Sequence, residues 1–277
     1  MLWCYQDNPI LGWYTMQYTT DVLHEMLPET ACRAVSAFLE PWAKRSDVAG
    51  ILLAGSYASG LATRFSDIDL YLILDETVRS RQRGDHVVDG WIVEYNADPI
   101  DYIRTLQREQ FAVRNRHCAR KIVNSAVILE RDELVRKLRE ESVELLVRPF
   151  EPSSSVSSEM AKYYLWDQLD NIRDLAHQRS PGYAYAYFCG LQNILQHYAA
   201  YLGSETLRPV RMYQFLTDPE FRRKYMIEEF PDARFMQLAA RCFEDVSLAK
   251  IEQLTEYVQS QMGGFKLDGW TLKVPCS

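Results

Sequence analysis

The chain has 277 residues, 47% of them hydrophobic and 25% charged, a composition that fits one large or two modest globular domains. The formal net charge is −7 and both halves are net acidic, which argues against an extended nucleic-acid-binding surface. No apolar run approaches the roughly 20 residues that span a bilayer, the first residues lack the basic and apolar regions of a signal peptide, and the six cysteines form no CxxC pair. The expectation is a cytoplasmic protein with reduced thiols and no zinc or redox motif.

In chain order, residues 1–28 are aromatic-rich and read as a short strand pair. A helix is expected over 29–46 from Ala31, Val35, Phe38 and Leu39, with Pro41 marking a kink or an early end. Val48–Ala54 reads as a buried strand stopped by Gly55-Ser56. A short helical or loop segment follows to Ser66, then a strand from Ile68 to Leu74. Asp75–Asp85 reads as an exposed connection, and Val87–Asn96 as a third strand with a turn at Asp89-Gly90. A helix over 98–108, a strand over 126–129 and a helix over 132–144 complete this part. Arg120 and Lys121 read as charged surface.

Pro149, Pro152 and the serines from Ser153 to Ser158 form the best linker. Beyond it, segments 158–178, 183–202, 210–217, 219–229 and 232–262 all read as helical. The expected fold is α/β (α+β): a small mixed sheet with flanking helices over residues 1–150, then an all-helical bundle over 151–277.

The segment with the most chemistry runs from Gly55-Ser56 to Asp67-Ile68-Asp69, with ten residues between Ser56 and Asp67. Glycine permits a sharp turn and a close backbone approach. Serine adds a hydroxyl, and the helix start behind it offers N–H groups to a phosphate. Strand alternation puts Asp67 and Asp69 on one face and turns Ile68 and Leu70 toward the core. Two such carboxylates repel unless a divalent cation lies between them. Mg²⁺ favours carboxylates together with phosphate oxygens. Glu94 lies within the apolar run Trp91-Ile92-Val93-Glu94-Tyr95-Asn96, where an acid needs a reason such as metal ligation or a base role.

Gly55-Ser56, ten residues, then Asp67-Ile68-Asp69-Leu70 resembles the signature of the DNA polymerase β-like nucleotidyltransferase superfamily. Residues 91–96 and the order of catalytic part then helical part are similar to aminoglycoside nucleotidyltransferases of the kanamycin and streptomycin type. The resemblance implies an adenylyltransferase that uses two Mg²⁺ ions and ATP, with a small hydroxylated acceptor, an antibiotic among the candidates, and pyrophosphate as product. It implies Gly55 and Ser56 at the phosphates, with Arg64 and Ser66 as further nucleotide-side candidates. Asp67 and Asp69 become metal ligands, and Glu94 a third ligand or the base. A homodimer is implied by analogy, with no membrane and no nucleic-acid partner.

In the helical half, Asp167, Asp170 and Asp174 share one helix face. Asp167 and Asp170 are the candidates for acceptor binding, against the plainer reading of a solvated face. Two other functions stay open: a protein adenylyltransferase, and a catalytically inert nucleotide-binding sensor.

Overall fold

The computed structural model of the chain describes residues 20–205 and 209–273. It forms two compact units. One holds the described residues up to Tyr102 together with Ser125–Leu138. The other holds Ile103–Asn124 and the described residues from Arg139 onward. The chain passes between them after residues 102, 124 and 138, whereas composition marks only the proline- and serine-rich stretch near 150.

The elements run α1 (Thr20–Met26), α2 (Glu29–Ala43), β1 (Val48–Leu53), α3 (Gly55–Ala58), β2 (Ile68–Leu74), β3 (Gln82–Val88) and β4 (Trp91–Pro99). Then come α4 (Ile100–Ala112), α5 (His117–Asn124), β5 (Ala126–Glu130) and α6 (Glu133–Val147). The strand pair expected over 1–28 falls up to residue 19 outside the described residues, and its remainder is α1. Leu23 and Leu27, four apart, are buried there, which is a helical spacing.

The sheet has the order β3-β4-β2-β1-β5. β2 pairs with β4 in parallel, and the other three pairs are antiparallel. The third strand expected over 87–96 is a hairpin of two strands, β3 and β4. Its turn, Asp89-Gly90, has φ of 49° and 83°, the two positive values that a type I′ hairpin requires. Residues 82–85 fall in the stretch expected as a connection, yet they belong to β3, an exposed edge strand whose first part is polar and lacks apolar alternation.

One face of the sheet is the core. Ile68, Leu70 and Leu72 of β2 and Val93, Tyr95 and Ala97 of β4 pack with Leu23 and Leu27 of α1 and with Ala31, Val35, Leu39 and Trp42 of α2. The 31-35-39-42 spacing makes α2 amphipathic, and it continues past Pro41 to Ala43. The other face buries Leu52 and Ile73 and also carries the acids of β2 and β4. Asp98 is 3% exposed; it accepts from the Tyr71 hydroxyl at 3.0 Å and from Arg81 Nε at 2.6 Å. The Arg81 guanidinium lies 3.6 Å above the Tyr102 ring. This network ties β2, β4 and the entry to β3 together.

The second unit is helical: it takes α4 from Ile103, α5, and α6 from Arg139, then α7 (Ser155–His177), α8 (Tyr183–Tyr201), α9 (Met212–Thr217), α10 (Pro219–Lys224), α11 (Ala233–Glu244) and α12 (Leu248–Gln261). Its core includes Leu165, Leu169, Ile172, Leu191, Ile194, Tyr198, Phe235, Ile251 and Leu254. The single helix expected over 232–262 is two, because Asp245 takes an extended backbone (φ −141°, ψ 107°) and Ser247 stands at the N-cap of α12. Helix α5 was not expected from sequence. On it, Arg120 is buried against Glu205 rather than at the surface. Among the described residues no helix is long and apolar enough to cross a membrane.

Asp232 caps α11 by accepting from the Phe235 N–H at 2.9 Å, and it also accepts from Tyr198 at 2.6 Å and Tyr257 at 2.9 Å. Burial pushes this carboxyl up, but the hydrogen bonds from Tyr198, the backbone and Tyr257 outweigh it and hold it below the usual aspartate range. A carboxyl depressed in the folded state adds stability above its unfolded pKa and loses it as pH falls through the folded value. The stability gap between the wild-type chain and Asp232→Asn should therefore narrow as urea unfolding is repeated from about pH 6 down to about pH 3. Asp98→Ala removes the shared acceptor of Tyr71 and Arg81. It should lower unfolding stability by about 1–3 kcal/mol, read as a lower urea midpoint.

Candidate active site

β1 ends at Leu53, whose register partner on β2 is Leu70. One step further, the Ala54 N–H donates to the Asp69 carbonyl at 2.8 Å. The next residue is Gly55, with φ of +68°; a β-carbon there would lie 1.8 Å from Asp69 Oδ2 and 2.6 Å from its Cγ. Both the left-handed backbone and the missing side chain are therefore required. The Gly-Ser turn and the Asp-x-Asp segment, ten residues apart in sequence, are in direct contact.

Behind Gly55 the chain makes one short helical turn, α3. The Ser56 carbonyl accepts from the Ser59 hydroxyl at 3.1 Å and from the Leu61 N–H at 2.8 Å, which fixes the backbone there. Ser66 closes a turn: its hydroxyl accepts from the Thr63 N–H at 2.8 Å, and its own N–H donates to the Thr63 carbonyl at 3.0 Å. Arg64 is exposed, with its guanidinium 4.5 Å above the ring of Phe65, which is itself 81% exposed. For both, the contacts seen are local to this loop.

Asp67 immediately precedes β2, and Asp69 is its second residue. The parallel β2–β4 register sets Asp69 directly beside Glu94, so the two side chains share a face. Asp67, Asp69 and Glu94 are each half-buried, and one carboxylate oxygen from each lies within 4.8 Å of the others. Ile68 and Leu70 are fully buried on the opposite face. Three clustered carboxylates offer the hard oxygen donors that hold divalent cations such as Mg²⁺. They also repel one another unless a cation is shared between them. The donor set thus fits a divalent ion.

A residue that sequence reasoning missed stands beside them. Arg83 on β3 donates from Nη2 to Glu94 Oε1 at 2.8 Å. Asp85, two residues on, is the direct register partner of Glu94. The signal available was Asp89-Gly90, whose hairpin geometry folds residues 82–88 back along 91–97.

Asp167 and Asp170 lie on α7 in the helical unit. The backbone carbonyl of Asp167 accepts from Asn171 Nδ2 at 2.8 Å and its carboxylate at 3.5 Å, while Asp170 is exposed. Further along that helix, Arg173 pairs with Glu252 at 2.7 Å.

Residues 33–148 match the family model described as a nucleotidyltransferase domain. The match spans the Gly55 turn and all three clustered acids, and it supports nucleotidyl transfer as the general activity. Among solved structures, a nucleotidyltransferase-like protein from Exiguobacterium sibiricum is similar at 15% identity, over 83% of this chain and 76% of its own, with a TM-score of 0.38. No curated protein matches the chain.

The contact between Gly55 and Asp69 gives a measurable expectation. Gly90 also has a positive φ but has nothing within 4 Å of an added β-carbon. Gly90→Ala should cost about 1 kcal/mol from backbone strain alone. Gly55→Ala should cost about 1–3 kcal/mol more, because Asp69 must move. Paired urea unfolding curves of the two variants measure the difference.

Proposed function

We propose that the chain is a divalent-metal-dependent nucleotidyltransferase that moves AMP from ATP to a hydroxyl group of a small molecule, with an aminoglycoside-like compound as the candidate acceptor. One observation carries this reading: Asp67, Asp69 and Glu94 converge beside the Gly55-Ser56 turn, within the stretch that matches the nucleotidyltransferase-domain model.

The acceptor oxygen bonds to the α-phosphorus, the bond from that phosphorus to the bridging oxygen breaks, and pyrophosphate and a proton leave. Two Mg²⁺ ions held by Asp67, Asp69 and Glu94 would supply electrostatic stabilisation of the charge on the transferred group. The residues of the chain do the positioning. Gly55 brings the backbone close to Asp69, and the Ser56 hydroxyl stands at the start of the turn, where a triphosphate meets backbone N–H groups. Ile68 and Leu70, locked in the core, hold the two aspartates in register.

The test is pyrophosphate release from ATP and Mg²⁺ across a panel of aminoglycosides, lincosamides and simple aminosugars. Release should depend on an acceptor and fall by a factor of about 100 or more in Asp67→Asn and in Asp69→Asn, each of which removes a ligand. Glu94→Gln should lower turnover more than it weakens nucleotide binding. Wild-type rates from either aspartate variant would sink the assignment. ATP binding without release from any acceptor in the panel would move the reading to a protein acceptor or to a nucleotide sensor.

A further inference from the structure

The β2–β4–β3 register places Asp69, Glu94 and Asp85 in one row across three strands, because directly paired residues point to the same face. Arg83, two residues before Asp85, shares that face; its own register partner is Asn96. The Arg83 side chain leans diagonally back to reach Glu94 at 2.8 Å. It is 67% exposed and the Glu94 side chain 23%.

An ion pair this open contributes little to fold stability. Its electrostatic effect on the site is another matter. The guanidinium pairs with one member of a cluster whose three carboxylates lie within 4.8 Å of one another. At that range a charge acts on the whole cluster and is only partly screened by salt.

We propose that Arg83 is the resident counter-cation of the carboxylate cluster. It pairs with Glu94, competes with a divalent ion for that carboxylate, and so keeps the site from taking metal tightly before nucleotide arrives. The inference rests on the reading that Asp67, Asp69 and Glu94 bind a divalent ion. With Asp67, Asp69 and Glu94 holding a divalent ion, Glu94 would give up Arg83, and the guanidinium would stay on the β3 edge. An anionic triphosphate would offset the repulsion between that guanidinium and the ion. Metal and nucleotide binding are thereby coupled through Arg83.

Mn²⁺ binding to the full chain, followed by electron paramagnetic resonance with and without a non-hydrolysable ATP analogue, tests this directly. Arg83→Gln should bind Mn²⁺ alone about 3- to 10-fold more tightly than the wild-type chain. The factor by which the ATP analogue tightens Mn²⁺ should shrink in the same variant. Arg83→Lys, which keeps the charge, should stay within about twofold of wild type. A merely structural role for Arg83 moves none of these in that direction, because loosening Glu94 weakens metal binding. Unchanged or weaker Mn²⁺ binding in Arg83→Gln, with wild-type binding abolished by Asp67→Asn, overturns the role of Arg83 and leaves the metal site standing. Absence of Mn²⁺ binding by the wild-type chain even with the ATP analogue overturns the metal site itself.

Discussion

Residue 55 has no room for a side chain, because the carboxylate of Asp69 occupies the place that a β-carbon would take. Much of the site follows from that approach. For Gly55 to lie against Asp69, β1 and β2 must pair in the register that ends at Leu53 and Leu70, with Ala54 bonded to the Asp69 backbone. With β2 in that register, Ile68 and Leu70 are driven into the core, and Asp67 and Asp69 are driven out of it. A one-residue slip of β2 would exchange the two sets. The same strand, paired in parallel with β4, then sets Glu94 beside Asp69. The packing of Ile68 and Leu70 in the core thus fixes where the acids stand.

That logic explains which parts were legible in sequence. The strand Ile68–Leu74 and the shared face of Asp67 and Asp69 could be read because each apolar residue there answers to a buried position. Glu94 stood out for the complementary reason, as an acid in an apolar run. The spacing from Ser56 to Asp67 implied a turn and a return, and the structure supplies both. Arg83 was invisible because nothing about an arginine in a polar stretch distinguishes an edge strand from a loop. Only the Asp89-Gly90 turn marks the hairpin, and a turn by itself does not say how far its arms remain paired. In the helical unit, the break at Asp245–Ser247 was missed for a related reason. Val246 and its neighbours do not interrupt the apolar period, so the change of backbone conformation leaves only the cap residue Ser247 as a local trace. Arg120 is the inverse case: its burial depends on Glu205, 85 positions away in the chain, a partner that no local pattern names.

The face of the sheet that carries the acids offers a comparison internal to the molecule. Two acids on β4, Asp98 and Glu94, lie four residues apart on the same face, and each meets an arginine from the β3 side: Arg81 for Asp98, Arg83 for Glu94. The pairs differ in what surrounds them. The Asp98 side chain is 4% exposed and also accepts from Tyr71, while Arg81 is stacked on Tyr102. Breaking that pair would strand a charge out of water, so it is a fixed part of the fold. The Glu94 side chain is 23% exposed and neighbours Asp67 and Asp69, so water and a divalent ion can both replace the guanidinium.

Such a difference matters because the two arrangements respond oppositely to a cation. A closed pair has its lone pairs spent on fixed donors, and an incoming ion would have to displace buried hydrogen bonds at several kcal/mol. An open pair beside two further carboxylates gives up one exposed contact, worth about 1 kcal/mol or less, for ligation by an ion that also relieves the repulsion among all three acids. Along one strand the chain therefore holds one acid permanently and keeps the other exchangeable. The distinction is set by burial, since the residue types in the two pairs are almost the same.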